Sequence, residues 1–423
     1  MTPLPAHGPT VSVVIVSRGR PASLQLALTG AARLVYPNYE IVVVADAAGL
    51  AAARALPFGD GLTCVGFEEA NISAARNVGI MQAGGEIIAF LDDDAVPEPL
   101  WLQHLMQGFA LPDVACVGGF VRGRNGISLQ WRARAVDAGG AARDLVLTGD
   151  APVVPNPGAG WAVKTEGTNM AMRRDVLAAL GGFDPAYRFY LDETDLNRRL
   201  HDAGHRTAIV PLAEVHHGYA PSDLRLRTRA VRDLSRIGAS TAVFLRRHAD
   251  PAIHVARLDA LRAEQRRRLI QQMVAGQIEP RDIARLMVTL EDGIREGLAA
   301  PSTPLTPLGP PAQPFRLFAT LSTKGAKVIR GRLWRWRAIR AEAAAAAAQG
   351  HVVTVYMLSR TVLAHRIRYR LPGVWEHRGG LWGRSDRSQP RLRWASFRAR
   401  IAEEHARVAP RRDPTPMVVP NAP

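Results

Sequence analysis

Cysteine is scarce in this chain. Only Cys64 and Cys116 occur among 423 residues, and both stand in apolar surroundings. A disulfide framework is therefore not expected, and this usage favours a reducing compartment. Long apolar runs are also lacking, since none reaches the roughly 18 residues that a membrane span needs, and no basic segment followed by an apolar signal core opens the chain. These absences predict a cytoplasmic protein, either soluble or peripheral at the inner face of a membrane.

Negative charge is the second shortage. Lysine and arginine number 54 against 38 aspartates and glutamates, which gives a formal net charge of +16. An excess of this size favours an anionic partner, such as a nucleotide, a lipid headgroup or nucleic acid. The acids of the first half gather at apparent loops, whereas arginine crowds the chain after about residue 225. Positive charge is therefore concentrated in the second half.

The first half contains an apolar run that ends in three consecutive carboxylates. Residues 87–91 have the composition of a strand buried on both faces, and Asp92, Asp93 and Asp94 follow directly. Ligands bind at the carboxyl ends of strands in open α/β sheets, and adjacent acids repel one another unless a cation neutralises them. Asp92 and Asp94 can both offer oxygen ligands to Mg²⁺ or Mn²⁺. The alternative is a solvated acidic loop that caps a helix.

Apolar strands alternate with helical patterns through this half of the chain. Strands are predicted over 11–16, 41–44, 63–65 and 87–91, and helices over 22–34, 51–56, 73–81 and 99–109. Such alternation implies right-handed crossovers and a mostly parallel sheet. The predicted fold class is therefore α/β, with a Rossmann-like layout. The G-x-G-x-x-G fingerprint is missing after the first strand, which argues against a dinucleotide site.

The loops that leave these strands carry groups suited to a nucleotide. Ser17 and Arg20 follow the first strand and can meet a phosphate. Asp46 follows the second strand, where its carboxylate can accept a hydrogen bond from a ribose hydroxyl or from an N–H group of a base. Arg76 lies one turn into the helix that begins near Asn71. Each group alone is also consistent with a turn or a cap, but all of them are expected at one edge of the sheet.

A second acidic group begins a later helix. Leu196 and Leu200 mark its buried face, which places Asp192, Glu193 and Asp195 in the first turn. Acids there are stabilised by the helix dipole, so capping is one interpretation. The other is a general base, because a carboxylate at a helix start facing a cleft can take a proton from a hydroxyl.

Two adjacent histidines, His216 and His217, follow the strand predicted over 207–211. A histidine in such a place is commonly structural. One of the pair is expected to be a third metal ligand, because imidazole and carboxylate together suit a divalent ion.

Together these motifs resemble a family 2 glycosyltransferase of the GT-A fold. The resemblance covers about residues 11–217 and rests on the order and spacing of VSVVIVSRGRP, EIVVVADAAG, NISAARNVGI, GGEIIAFLDDDAVPEPLWL, GTNMAMRRDVL, GGFD, DETDL and VHH. The opening departs from the family, since Val16-Ser17-Arg18-Gly19 replaces Pro-Thr-Tyr-Asn, and Ala45 replaces an acid. These changes bear on the identity of the nucleobase.

The resemblance implies a role for each matching residue. Asp94 would hold the metal, and Glu193 would be the base, with Asp192 as the alternative. Asp92 would contact the ribose or the sugar of the donor, Asp46 and Arg76 would bind the nucleoside, and Gly167, Thr168 and Asn169 would line the sugar pocket. Ser17, Arg20 and Asp93, from the loops after the first and central strands, are further donor-binding candidates.

The implied activity is a metal-dependent, inverting transfer of a sugar from a nucleotide-sugar donor to a hydroxyl of a glycan or lipid-linked acceptor. The cofactor would be Mn²⁺ or Mg²⁺. The alternative is a catalytically degenerate module whose basic tail binds an anionic surface or nucleic acid; retention of the acids and the histidine pair argues against it. A nucleotidyltransferase would give no reason for the DETDL and VHH motifs.

The second half is predicted to be a largely helical, basic region. Its divisions are a catalytic domain over 1–222, a helical extension over 223–300, a proline-rich linker over 301–315, a basic region over 316–410 and a disordered tail over 411–423. Residues 324–340 mix arginine with Trp334 and Trp336, which suits contact with an anionic membrane or, equally, a solvated helix. Nucleic acid is not expected as a partner, because no aromatic platform is apparent.

Overall fold

The computed structural model describes residues 8–218 and 230–414. Its first part alternates strands and helices: β1 (Val11–Ser17), α1 (Pro21–Ala31), β2 (Tyr39–Ala45), α2 (Ala47–Arg54), β3 (Thr63–Gly66), α3 (Ile72–Gln82) and β4 (Ile87–Asp92). The four strands are parallel and lie in the order β3-β2-β1-β4. The predicted alternation and the Rossmann-like layout are therefore confirmed.

The same sheet continues through later elements of the chain. These are β5 (Ala95–Pro97), α4 (Trp101–Phe109), β6 (Val114–Arg122), β7 (Leu129–Trp131), β8 (Ala133–Asp137), β9 (Ala142–Leu145), β10 (Trp161–Lys164), β11 (Met170–Arg173), α5 (Arg174–Ala179), α6 (Asp192–Asp202) and β12 (Arg206–His217). The order extends as β4-β11-β6-β12-β5, with β7 beside β6. Strand β11 is antiparallel to both neighbours, β5 to β12 and β7 to β6. Strands β10, β8 and β9 form a separate antiparallel sheet.

The large sheet is buried on both faces. Val13 and Ile15 of β1 pack into a cluster with Leu28 of α1 and Trp101 of α4. Val14 points the other way, into a cluster supplied by α3, α5 and α6. Because successive strand residues face opposite sides, two covered faces require the unbroken apolar runs seen in the sequence.

Residues 230–299 are helical. The elements are α7 (Ser235–His248), α8 (His254–Val274) and α9 (Pro280–Ala299), packed around leucines such as Leu245, Leu269 and Leu290. In the helical extension predicted over 223–300, the first helix begins at Ser235, and residues 223–229 lie outside the described residues. In the part of the chain that the structure describes, no helix has the length and apolar character to cross a bilayer.

The last part of the chain is a second α/β unit rather than a helical one. Its elements are β13 (Ala326–Arg332), α10 (Trp336–Ala348), β14 (Val352–Ser359), β15 (Arg366–Arg370), β16 (Val374–Gly380) and α11 (Phe397–Arg412). The sheet has the order β13-β14-β16-β15, with only β15 antiparallel. The prediction of a largely helical second half holds for α7–α9 but not for this unit, where exposed arginines on β13 and β15 obscure the strand pattern.

Two boundary predictions need correction. The proline-rich segment is not a free linker: Ala312 N–H donates to Met81 O over 2.7 Å, and Leu308 N–H to Ala178 O over 2.9 Å. Helix α11 runs to Arg412, two residues into the predicted disordered tail, because Arg412 is buried against Glu98. Residues 415–423 of that tail lie outside the described residues.

The C-terminal unit packs closely on the first domain. Nε and Nη2 of Arg412 donate to the two carboxylate oxygens of Glu98, over 2.6 and 2.7 Å, and both side chains are about 1% exposed. Val96, Ile367 and Trp375 share an apolar cluster at the same contact. The contact lies directly behind β12, the strand that ends at His217.

Candidate active site

The loops after β1 and β4 meet because these strands are neighbours, with Val16 paired to Asp92. Ser17 Oγ donates to Asp93 Oδ2 over 2.6 Å, and an arm of Arg20 lies 2.9 Å from Asp93 Oδ1. Burial raises the pKa of Asp93 to about 7, and Arg20 and Ser17 oppose that shift. Asp93 therefore faces inward and fixes the loop, rather than reaching the cleft as a donor-binding group.

Asp46 ties two loops together. One carboxylate oxygen accepts from Gly49 N–H and caps α2, and the other accepts from Gly19 N–H, each over 2.8 Å. Gly19 has φ +70°, a conformation that glycine adopts without strain. The capping interpretation of Asp46 is thus realised, and it brings the Ser17–Arg20 loop beside the second strand.

Three of the four predicted metal ligands come together. Ligand atoms of Asp92, Asp94 and His217 all lie within 4.8 Å of one another. His217 Nε2 is 3.1 Å from Asp94 Oδ1. Its other nitrogen, Nδ1, lies 3.2 Å from the amide oxygen of Gln130.

Two carboxylates and one imidazole form a donor set that suits Mn²⁺ or Mg²⁺, and the hydrogen bond to Gln130 is the outer-shell contact that orients a ligating histidine. The described residues therefore fit a divalent cation at this position.

His216 is not part of this group. Its Nε2 lies 2.7 Å from Glu98 Oε1, and its ring packs 4.7 Å from that of Trp375. Adjacent residues of a strand point to opposite faces, so β12 sends His217 to the cleft and His216 to the contact with the C-terminal unit. The prediction of His216 as a ligand is therefore corrected.

Arg76 joins the two acidic groups. Its Nη2 lies 3.2 Å from Asp92 Oδ1, and its Nη1 donates to Asp192 Oδ2. The guanidinium carbon also stands 5.0 Å from the ring centre of Phe183. At Gly167 a Cβ would fall 2.6 Å from Arg76 Nη2, so this glycine allows the backbone to approach the guanidinium. Arg76 and Gly167 lie where the sequence predicted the donor site.

The predicted base lies at the start of α6. Tyr190 and Leu191 have φ of +80° and +64°, and this strained turn directs Asp192 and Glu193 toward the cleft. The Asp192 side chain is 4% exposed and the Glu193 side chain 16%. Asp195, in the same turn, instead bonds Arg199 and His248, each over 2.8 Å.

Burial and neighbouring charge push the pKa values of these two acids apart. Burial raises the pKa of Asp192 to about 8. The charge of Arg76 opposes this rise, and the charge of Glu193 adds to it. Burial also acts to raise the pKa of Glu193. Lys164, at 3.1 Å, together with hydrogen bonds from Asp192 and the backbone and the charge of Arg76, outweighs burial and lowers that pKa to about 2. Glu193 therefore stays ionised near neutral pH, as a proton acceptor must be.

Lys164 and Glu166 are site residues that the sequence analysis missed. Lys164 Nζ lies 2.9 Å from Glu166 Oε1 as well as near Glu193, and Lys164 is 8% exposed. A lysine within the apolar run of β10, just before the GTNM motif, was the available signal. Its contact with Glu193, 29 residues later, could not be predicted from the sequence.

Two of the three residues predicted to line the sugar pocket are buried in the fold. Asn169 Nδ2 donates to Phe120 O and Ala213 O, and Trp101 Nε1 donates to Asn169 Oδ1. With no exposed surface, Asn169 joins β6, β12 and α4 and cannot meet a sugar. Thr168 is 2% exposed. Gly167 lies beside Arg76 and stays a candidate for the sugar pocket.

The comparisons agree with this geometry. The model of the family described as glycosyltransferase like family 2 matches residues 8–233, more than half of the chain. The chain therefore belongs to this family, which confirms the family predicted from its motifs.

Individual relatives are more distant. The chain is 30% identical over 182 residues to the pre-mycofactocin glycosyltransferase of Mycobacterium tuberculosis, covering 42% of this chain and 36% of that protein. It is 31% identical over 120 residues to the glycosyltransferase AglE of Haloferax volcanii, covering 27% of this chain and 40% of that protein. The matches thus span well under half of either relative.

Among solved structures, the mannosyltransferase PcManGT from Pyrobaculum calidifontis, in complex with GDP-Man and Mn²⁺, is 19% identical. The match covers 70% of this chain and 89% of that one, with a TM-score of 0.40. A score of this size carries no argument about the site.

Proposed function

We propose that this protein transfers a sugar from a nucleotide-sugar donor to an acceptor hydroxyl, with inversion at the anomeric carbon and with a divalent cation bound. One observation carries the proposal: Asp92, Asp94 and His217 converge at the sheet edge where Arg76 connects them to Asp192 and Glu193. The metal donors and the base candidates are thus two halves of one cleft.

The donor would lie over the ends of β1 and β4. Arg20, with its side chain 30% exposed, stands 3.6 Å from Asp94 and is placed to meet a phosphate oxygen beside the cation. Asp92 is the most exposed of the three acids after β4, since 28% of its side chain is accessible. Its carboxylate can therefore accept a hydrogen bond from a hydroxyl of the ribose or the sugar. A bound Mn²⁺ or Mg²⁺ would offset the charge of the leaving nucleoside diphosphate.

Glu193 is the proposed base. Lys164 holds one of its oxygens and keeps it ionised, and its side chain is the more exposed of the two at the start of α6. It would accept the proton of the acceptor hydroxyl as that oxygen attacks the anomeric carbon. A single displacement of this kind needs no covalent nucleophile and inverts the configuration.

The acceptor is proposed to be a glycan or a lipid-linked sugar. Trp334 is 76% exposed and Trp336 38% exposed, at the turn that leads from β13 into α10. Indole rings beside arginine suit the headgroup region of an anionic membrane. A peripheral position at the cytoplasmic face would bring the cleft near such an acceptor.

The test is a panel of nucleotide sugars offered to the full chain with candidate acceptors, Mn²⁺ or Mg²⁺ present, and nucleoside diphosphate release as readout. At least one donor should be turned over, and excess chelator should stop that turnover. Asp202→Asn, at the exposed far end of α6, is the matched control and should behave like the parent. Full turnover in chelator would contradict the role of the metal, and no turnover of any donor would contradict the transfer itself.

A further inference from the structure

The C-terminal sheet has one face that is only half covered. Helix α10 packs Ile339 and Ala343 against Val355 and Met357 of β14. The opposite face is closed by α11 and by the first domain, where Trp375 is buried. Strands β15 and β16 therefore present the first face to solvent beside α10.

Arginine dominates this half-covered face. Arg366, Arg368 and Arg370 alternate along β15, so all three point to the same side. Arg378 of β16 lies directly opposite Arg366, and Glu376 lies opposite Arg368. Like charges directly opposite each other across two strands destabilise a sheet, so the Arg366–Arg378 pair calls for a compensating anion.

The available carboxylate is already used. Glu376, 2% exposed, contacts Arg340 at 2.9 Å, Arg370 at 3.1 Å and Arg378 at 2.6 Å. Within residues 8–218 and 230–414, neither Arg366 nor Arg368 forms an ion pair. The face therefore keeps a local excess of positive charge.

A cavity of about 400 Å³ opens at this point. Its lining includes Ser359 and Gly379, at the carboxyl ends of the parallel strands β14 and β16, where α/β sheets bind ligands. Leu333 and Leu363 add an exposed apolar rim, at 39% and 63% exposure. Arginine on an edge strand can also serve only to prevent aggregation, but that role explains neither Arg378 on the inner strand nor the cavity.

We propose that this cavity is an anion site for a phosphate-bearing ligand, held by Arg366, Arg368 and Arg378. Guanidinium groups bind phosphate oxygens through paired hydrogen bonds, which matches several arginines around one opening. The site is separate from the cleft and stands independently of the proposed transfer. The phosphate could belong to a soluble molecule or to a lipid headgroup. In the second case the acyl chains of the lipid would lie against the apolar rim.

The first arm of the test titrates pyrophosphate into the full chain by calorimetry, in chelator so that no cation occupies the acidic cleft. Arg366→Gln/Arg378→Gln should weaken binding by at least about tenfold, since charged hydrogen bonds are lost. Arg368→Gln alone should weaken it in the same direction, and it guards against misfolding of the double variant. Arg266→Gln/Arg267→Gln removes the same charge from exposed positions of α8 and should bind like the parent.

The second arm uses vesicle sedimentation with phosphatidic acid against phosphatidylcholine alone. Binding of pyrophosphate without vesicle binding supports a soluble phosphate ligand, and vesicle binding that depends on Arg366 and Arg378 supports a headgroup. The proposal is overturned if the parent binds neither probe, or if the cavity variants bind both as the parent does. Glu193→Gln should leave both arms unchanged, so failure here is separable from failure of the proposed transfer.

Discussion

The two sheets that contain parallel strands both gather charge at the carboxyl ends of those strands, but with opposite sign. At the large sheet, Asp92 and Asp94 converge with His217, and the cations nearby hold individual acids in place. At the C-terminal sheet, Arg366 and Arg368 have no carboxylate partner among the described residues, and Glu376 is shared by three other arginines. The shared α/β design determines where a ligand binds, and local charge determines its sign.

The two regions are also joined physically. Glu98 bonds both Arg412 of α11 and His216 of β12. The residue after His216 is the candidate ligand His217, so the C-terminal unit supports the strand that positions the metal site. Substitutions in each region can therefore separate what belongs to that region from what passes between the two.

The largest expected effect is on the acidic cleft alone. Glu193→Gln should lower kcat by about 10²–10⁴-fold, the range for loss of a general base, with donor binding little changed. Steady-state kinetics and donor titration measure the two quantities. A greater loss with Asp192→Asn would move the base by one residue, and an equal loss of donor binding would make Glu193 a structural residue.

The next largest effect is expected from a substitution at the contact between the two regions. Glu98→Gln leaves Arg412 buried without its charge partner, which should lower the free energy of unfolding by about 3–5 kcal/mol. Urea denaturation measures this, and the exposed Glu342→Gln on α10 is the control. A loss no greater than that of the control would show that the C-terminal unit does not depend on this pair.

Acid should weaken the C-terminal unit through its buried histidines. Burial lowers the pKa of His365 to about 3, with Arg400 and Arg407 adding to the shift, while the unfolded chain titrates near 6.5. Between these values only the unfolded state binds the proton, so stability falls as pH drops below about 6.5, by about 1.4 kcal/mol per pH unit. His365→Gln should reduce that slope in urea titrations from pH 7 to 5, and an unchanged slope would contradict the assignment.

The smallest effect should have the opposite sign. Arg366→Thr removes a like-charge pair with Arg378 and should raise stability by about 0.2–1 kcal/mol in buffer without phosphate. Thermal denaturation measures this. The variant should be more stable than the parent without pyrophosphate, and the difference should disappear when pyrophosphate is added, because the anion stabilises the parent. Destabilisation by this change in both buffers would mean that the arginines are compensated within the protein.

The sequence predicted the first half well because its signals are local. Buried strands ending in polar loops identified the parallel core, and the strand ending at Asp92 gave the sheet edge. His216 and His217 illustrate a rule that was available: in a strand, only one of two neighbours can face the cleft. The Arg-Ile-Arg-Tyr-Arg pattern of 366–370 likewise shows the two-residue period of a strand.

Other features could not be read from the sequence, because they depend on contacts between distant segments. Asn169 resembles a site residue, yet its bonds go to carbonyls of Phe120 and Ala213. Lys164 acquires its role only beside Glu193. Arg412 looked like part of a disordered tail until its partner Glu98, 314 residues earlier, was known.

The most direct test of the acidic cleft is metal-dependent binding of nucleoside diphosphates, measured by calorimetry on the parent, Asp94→Asn and the control Asp202→Asn. All three should also carry Arg366→Gln/Arg378→Gln, because the proposed C-terminal site would bind a diphosphate without a metal. In that background the otherwise unchanged chain and the control should bind a nucleoside diphosphate with Mn²⁺ and lose that binding in chelator. Asp94→Asn should weaken it by at least the roughly 10–100-fold that loss of an outer-shell partner causes, with an unchanged circular dichroism spectrum. Undiminished binding by Asp94→Asn, or by the otherwise unchanged chain in chelator, would contradict the assignment of this edge as the metal and donor site.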